Sequence, residues 1–527
     1  MAPLTKVHHH PTASASPDSQ ASHEGGSTMS HRSFRLSFVP LLVSLSLAGC
    51  SLAPKYERPD IPVPERYPNR FEQSKELSGL QVNASMAAFS ASADLGWRQF
   101  FRDPRLVALI DIALKNNRDM RIAVERVQEA RALYGIQQSE RFPTIGVGAN
   151  AQVQRSPESV RAGGADAPSV SRFYQAGVGM TAFELDFFGR VKNLSEAAYQ
   201  QFLATDQAQR TVHINLIAQV AEAYFTMRAA EQQRALMEKT LESRQNSYSL
   251  VRTRFDNGIA GALDLNQAQS QLATVRADLA AIERVHAQSQ NALQLLLGEE
   301  LPADVPDPAV FGKNQLLATI PVGLPSDLLV RRPDIIGAEN GLLAANANVG
   351  AARAAFFPNI SITGLLGFAS SSLGGLFSSG NRFWSYTPQL TVPIFSGGVS
   401  GNLDLAKARK NIAVSQYEKT IQTAFREVAD ALAGEATYSS QLDALRSLEG
   451  SASETLRIAR IRYESGVDSF LQVQSAEVDL YSAQRLFLQT GLESLMNRVE
   501  LYKALGGGWL ENSGTTPESA VLPAAAS

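Results

Sequence analysis

Between Arg190 and Asn257 the chain carries neither glycine nor proline, a run of 68 residues. These two residue types are the usual helix breakers: glycine loses the most backbone entropy, and proline lacks a donor and clashes with the preceding turn. At a rise of about 1.5 Å per residue, one helix over this run reaches roughly 100 Å, well beyond the ~8–20 residues of a globular helix. Helices of that length need a coiled coil or a helical tube to bury their apolar stripe.

Proline placement shows that the long element occurs twice. No proline lies between Pro168 and Pro302, and none between Pro393 and Pro517. A shift of 208 positions superimposes the two gaps without insertion. Phe187 then meets Phe395 and Gly189 meets Gly397, while Val220, Ala221 and Ala223 meet Val428, Ala429 and Ala431. Arg252, Arg254 and Gly258 fall on Arg460, Arg462 and Gly466, and Leu297-Gly298 falls on Leu505-Gly506. Constant register over about 110 residues marks a duplicated structural unit. Within the first unit, Leu265, Leu272 and Leu279 recur every seven residues, followed at three by Ala268, Val275 and Ile282. That is an a/d seam, which weakens where His286 and Ser289 take the next two places. Gly258 and Gly466 punctuate the runs, placing hairpin tips at Asp256-Asn257-Gly258 and Glu464-Ser465-Gly466.

Strands precede each long helix. Thr144 to Gln154 alternate, with Ile145, Val147, Ala149, Ala151 and Val153 on one face and Asn150 and Gln152 on the other. Trp384 to Ile394 repeat the pattern, with Leu390 and Val392 opposed to Gln389 and Thr391. Ile360 to Phe368 make a third such face, and Tyr174 to Phe187 a fourth, less regular strand. The lengths suit tilted strands that cross a bilayer, with one face on lipid and the other on a lumen. Trp384 and Tyr386 suit a membrane interface. Four strands cannot close a barrel, and open edges are not tolerated in lipid, so other copies of the chain must complete the sheet.

The chain has one cysteine, Cys50, which rules out structural disulfides and cysteine-rich metal sites. Met29 to Gly49 have the layout of a signal peptide, with Arg32 and Arg35 before a short apolar stretch, Leu36 to Leu47. Leu47-Ala48-Gly49-Cys50 resembles a lipobox, in which the cysteine sulfur takes a diacylglycerol and becomes the mature N-terminus. Ser51 rather than Asp at the next place favours the outer membrane in that pattern. An ordinary signal peptide is the alternative. Pro54, Pro59, Pro62, Pro64 and Pro68 then predict an extended arm that tethers lipid to body. The predicted boundaries are 1–28 for a leader or over-extended start, 29–49 for the signal peptide and 50–96 for the arm. The first repeat unit follows at 97–299 with strand pair 143–187, and a linker at 300–333. The second repeat unit spans 334–510 with strand pair 358–395, and a disordered tail spans 511–527.

The net charge of −3 and the lack of a basic patch exclude a nucleic-acid binder. No metal-spaced cluster, phosphate loop or nucleophile elbow points to an enzyme, and no cofactor is expected. Gly146-Val147-Gly148 and Gly177-Val178-Gly179 sit inside strands and open no helix, so they are not a dinucleotide fingerprint.

Several motifs carry a family resemblance. They are Trp97-Arg98-Gln99-Phe100-Phe101 with Asp103, Leu109 through Asn116-Asn117, and Gly323-Leu324-Pro325-Ser326-Asp327. Arg331-Arg332-Pro333-Asp334-Ile335, Phe142-Pro143, Phe357-Pro358, Phe187-Phe188-Gly189-Arg190 and Pro393-Ile394-Phe395-Ser396-Gly397-Gly398 complete the set. Together they resemble the outer-membrane efflux proteins, the TolC-like channels, and within them the NodT-type lipoproteins. The resemblance covers roughly residues 50 to 510. It implies a mainly α fold with membrane β: a homotrimer forming a 12-stranded β-barrel and a periplasmic α-helical tube. It also implies partners, namely a periplasmic adaptor protein, an inner-membrane resistance-nodulation-division transporter and outer-membrane lipid.

The expected activity is passive efflux of drugs or other small toxic solutes, with a type I protein-secretion duct as the alternative. A coiled-coil structural or adhesive protein is the reading the strands argue against. In the family the hairpin tips close the periplasmic mouth with a ring of carboxylates. The resemblance assigns that gate to Asp468, with Asp264 as its neighbour from the first unit and Arg462 and Tyr463 tying adjacent hairpins. A plain turn role for Asp468 stays open, and Gln472 and Ser475 stand where some relatives carry further carboxylates.

Overall fold

The computed structural model describes residues 51–513, apart from 61, 65, 68–94, 162–165, 167, 303, 313–314, 318–319 and 321–324. The leader, the signal segment, Cys50 and tail residues 514–527 lie outside the described residues. All that follows concerns the unit beginning at Cys50.

The first unit runs α1 (Trp97–Phe100), α2 (Pro104–Asn116), α3 (Arg118–Ser139), β1 (Ile145–Arg155), β2 (Val170–Glu184), α4 (Arg190–Asp256) and α5 (Ala262–Leu297). The second runs α6 (Pro325–Arg331), α7 (Pro333–Ala354), β3 (Asn359–Ser370), β4 (Arg382–Thr391), α8 (Gly397–Glu464) and α9 (Phe470–Ala504). Helix α4 has 67 residues, nearly the whole breaker-free run, and α8 has 68. Both end in the same turn. Gly258 and Gly466 adopt φ of 73° and 74°, which favours glycine. The next amides, Ile259 and Val467, then reach back to the carbonyls of Arg254 and Arg462 at 2.8 and 2.9 Å.

The four strands form one antiparallel sheet in the order β1-β2-β3-β4. The pairing of β2 with β3 joins the two units, a contact the sequence pattern did not specify. Strand bounds differ from the predicted ones. β2 starts at Val170 and stops at Glu184, and a register shift between Met180 and Phe183 explains its irregular alternation. β4 stops at Thr391, short of Ile394, opposite Asn359, where its partner β3 begins.

The main core lies where α2 and α7 pack on the middle of α4 and α8 and on the far ends of α5 and α9. Trp97, Phe100 and Phe101 are buried there, with Phe100 stacked on Tyr502 at 4.0 Å. Asp103 caps α2 through the Arg105 amide (3.0 Å) and accepts from the Tyr224 hydroxyl (2.7 Å) and Gln315 Nε2 (3.0 Å). Asn117 caps α3 at Met120 (2.9 Å) and donates to Leu296 O (2.9 Å). Arg332 bonds Asp334 at 3.0 and 2.6 Å, Glu427 at 2.9 Å and Ala504 O at 3.0 Å, joining α7, α8 and α9. Burial opposes its charge, and the two carboxylates outweigh that, so the guanidinium titrates above its ordinary range.

Two boundaries are corrected. The 300–333 segment is more than a linker. Leu316 pairs with Phe101 as an isolated bridge at the α1–α2 corner, while Leu328 and Leu329 lie in α6, which packs on α7 and α8; these leucines and Ile320 are buried in the core. The tail is ordered through Ser513, where backbone and side-chain bonds hold it to Gly96, Arg98 and Gln99.

Candidate functional site

One face of the sheet carries a continuous apolar row, while the other mixes polar side chains with Phe173, Leu365 and Phe383. Register places Val147 beside Val178, Val178 beside Leu366, and Leu366 beside Trp384, so one row crosses all four strands. The row is bare: these side chains are 86%, 47%, 66% and 75% exposed. A row of unburied Val, Leu and Trp is unstable in water and normal against hydrocarbon. The other face carries Asn150, Gln152, Gln175 and Gln389, whose polar ends suit a wet lumen. Among the described residues β1 and β4 each pair on one side only.

Below the sheet, the arm runs along α7 in the opposite direction. Arg353 donates to Leu52 O (3.3 Å), Asn346 to Pro54 O (2.8 Å), and Arg58 forms an ion pair with Glu339 (2.6 Å). Gly350 makes room for the crossing, since a Cβ there would lie 2.7 Å from Ala53 Cα. Ser51 Oγ bonds Asn193 Oδ1 at 2.8 Å, a few residues into α4. Asn193 follows β2 closely in the chain, so the arm's first described residue sits at the base of the sheet. Cys50 precedes it directly.

At the opposite end are the hairpin tips. Arg462 makes two hydrogen bonds to Asp468, at 2.6 and 3.0 Å, inside its own tip. Those bonds hold the Asp468 carboxyl below its ordinary range and raise Arg462. Tyr463 packs on Phe470 (5.5 Å) and lies under the Arg254 guanidinium (4.5 Å), which comes from the first hairpin. Asp264 turns back on the Gly261 amide at the start of α5. Thus Arg462, Tyr463 and Asp468 share one tip and Asp264 belongs to the other; Tyr463 links the hairpins, while Arg462 is engaged within its own.

No helix among the described residues is long and apolar enough to cross a membrane, and none of those residues form a cluster of three metal-ligating side chains.

The family model described as "Outer membrane efflux protein" matches residues 109–299 and 324–507. The chain belongs to the outer membrane efflux protein family. The solvent efflux pump outer membrane protein SrpC of Pseudomonas putida is 44% identical over 89% of this chain and 98% of its own length. The outer membrane protein OprJ of Pseudomonas aeruginosa is 43% identical over 89% of this chain and 95% of its own. Among solved structures, the open state of the Neisseria gonorrhoeae MtrE outer membrane channel superimposes with a TM-score of 0.77. It is 37% identical and covers 88% of this chain and all of its own. As a family member, the chain is an outer-membrane channel of an efflux system and not an enzyme.

The efflux-channel fold also contains polar links that sequence reasoning missed. A few turns from the tips, Arg244 of α4 forms a buried ion pair with Glu477 of α9, which also accepts from Arg460 (2.8 Å) and Ser247 (3.2 Å). Desolvation lowers the Arg244 pKa. Tyr481 donates to Asp278 of α5 at 2.8 Å. Partners more than 200 residues apart leave no local signal.

Proposed function

We propose that three copies of this chain close a 12-stranded barrel in the outer membrane and continue as a helical tube through the periplasm. The observation that carries this reading is the four-stranded sheet with two unpaired outer edges and a bare apolar face. Two such edges cannot face hydrocarbon, because each unsatisfied backbone group there costs several kcal/mol. Three sheets joined edge to edge remove all of them. The anchor is Cys50, carrying a diacylglycerol thioether; the place of Ser51 at the base of the sheet supports this, since acyl chains there reach the inner surface of the same membrane.

The tips form the periplasmic mouth, where Asp468, Asp264, Arg462 and Tyr463 set the resting constriction, with Asp468 held by Arg462. The partners are a periplasmic adaptor protein and an inner-membrane resistance-nodulation-division transporter, which supplies the energy. The cargo class is small toxic solutes, in keeping with solvent export in the name of one relative.

Deleting the gene tests this reading. The strain should accumulate a fluorescent dye and lose tolerance to organic solvents, with protein secretion unchanged, and the cloned gene should restore both. Lost protein secretion with normal dye efflux would move the chain to a type I secretion duct.

A further inference from the structure

The apolar face of the sheet ends in arginines. The row Val147, Val178, Leu366 and Trp384 marks that face on each strand, and the strand period of two carries it outward. It arrives at Arg155 on β1, Arg172 on β2 and Arg382 on β4, all exposed. Among the described residues of the four strands, these are the only charged side chains on the face. All three stand at the end away from the helices. None of their guanidinium groups makes a hydrogen bond or ion pair among the described residues, and the loop acids Glu158 and Asp166 do not neutralise them.

Their height is set by strand length. β1 has 11 residues from Ile145 to Arg155. At a rise of about 3.3 Å and a tilt of about 40°, that is about 25 Å of height, the apolar band of an outer-membrane barrel. Ser51 marks the base of the sheet, so the arginines lie at the headgroups of the opposite, outer leaflet. Arginine is tolerated at that depth, but bare like charges at the edge of hydrocarbon call for anions. Aromatic rings flank them. Phe368 pairs with Arg382, exposed Phe377 of the second outer loop packs on Phe368 at 5.5 Å, and Trp384 follows Arg382 on the same face. In the trimer proposed above, on which this inference rests, β4 of one chain meets β1 of the next. The outer ends of those strands, with Arg382 and Arg155, then share a seam, and Arg172 lies on the strand beside β1.

Guanidinium forks match phosphate oxygens in bidentate pairs. A simple phospholipid offers them one phosphate. A glycolipid with several phosphates above several acyl chains fits both the cations and the rings. We propose that each seam binds, at its outer rim, one multiply phosphorylated glycolipid of the outer leaflet, of the lipopolysaccharide class. Arg382, Arg155 and Arg172 hold its phosphates, and Phe377 and Trp384 contact an acyl chain. The headgroup thereby bridges two chains.

The test is native mass spectrometry of the full-length, lipidated trimer in detergent, titrated with bisphosphorylated lipid A, monophosphoryl lipid A or phosphatidylglycerol. Lipid A should bind at up to three copies per trimer, and more tightly than either single-phosphate lipid by about tenfold. Replacing all three arginines by Gln should weaken lipid A by at least about tenfold and bring it level with the other two lipids. Arg172→Gln alone, on an inner strand, should leave the trimer intact and weaken lipid A about threefold or more. Trimers that bind the three lipids equally, or an Arg172→Gln trimer with unchanged affinity, would overturn the proposal and leave the assembly standing. A triple variant that assembles and binds as the unaltered protein does would overturn it as well. Unaltered protein that appears only as single chains would instead refute the assembly, and the seam site with it.

Discussion

Replacing Arg332 by Met keeps the length of the side chain and removes the fork that joins α7, α8 and α9. The side chain is 10% exposed, while Asp334 and Glu427 keep 30% and 25% exposure. Breaking a buried ion pair by removing one partner costs about 3–5 kcal/mol, mostly through the charge left behind. Because both carboxylates keep some water, the lower end applies, about 3 kcal/mol, including the lost bond to Ala504 O. Arg332→Lys keeps the charge and loses the bidentate geometry toward Asp334, which should cost about 1–2 kcal/mol. The assay is denaturant unfolding of the purified protein in detergent, with Glu427→Gln completing a double-mutant cycle. Coupling between Arg332 and Glu427 is expected because they share a hydrogen bond. A midpoint for Arg332→Met equal to that of the unmodified protein, or strictly additive effects in the cycle, would refute the reasoning.

Cys50→Ala should abolish incorporation of labelled palmitate and slow processing, as read by mass spectrometry of the mature N-terminus; an unmodified Cys50 in the unaltered protein would contradict the anchor. Val147→Arg should destabilise the membrane form by roughly 2–4 kcal/mol if it lies near the bilayer midplane, and Asn150→Arg much less; equal tolerance in refolding titrations would contradict the face assignment. Asp468→Ala should raise single-channel conductance or change cation selectivity, with Asp264→Ala weaker. Since Arg462 lowers the Asp468 pKa, the pair should be intact above the ordinary carboxylate range and persist as pH falls through it. Conductance should therefore hold constant there and change only in stronger acid; a change centred on the ordinary carboxylate pKa would argue against the pair.

The long helices were legible because their signal is local and cumulative. The run free of Gly and Pro gave α4 to within one residue, and the 208 shift carries α4 and α5 onto α8 and α9 within about a residue. The same shift fails for the strands: β1 at Ile145 corresponds to β3 at Asn359, because the outer loop of the second unit is shorter and β2 carries an irregularity. Alternation assigned the faces of β1 and β4 but could not reveal that β2 pairs with β3, since strand pairing depends on distant partners. The segment around Leu316 read as a linker because its few apolar residues lack periodicity; burial came from the α1–α2 corner it covers. At the tips, glycine spacing located the turns, while the partner of Asp468 followed from backbone geometry that brings Arg462 around the Gly466 turn.

The central claim is that the open sheet is one third of a closed barrel. Native mass spectrometry of the protein released from detergent micelles tests it most directly. The expected result is a species of three chains, each carrying its lipid, with no stable folded monomer. A folded single chain that keeps its strand signal by circular dichroism would contradict the account, because two bare strand edges would then be stable without a partner.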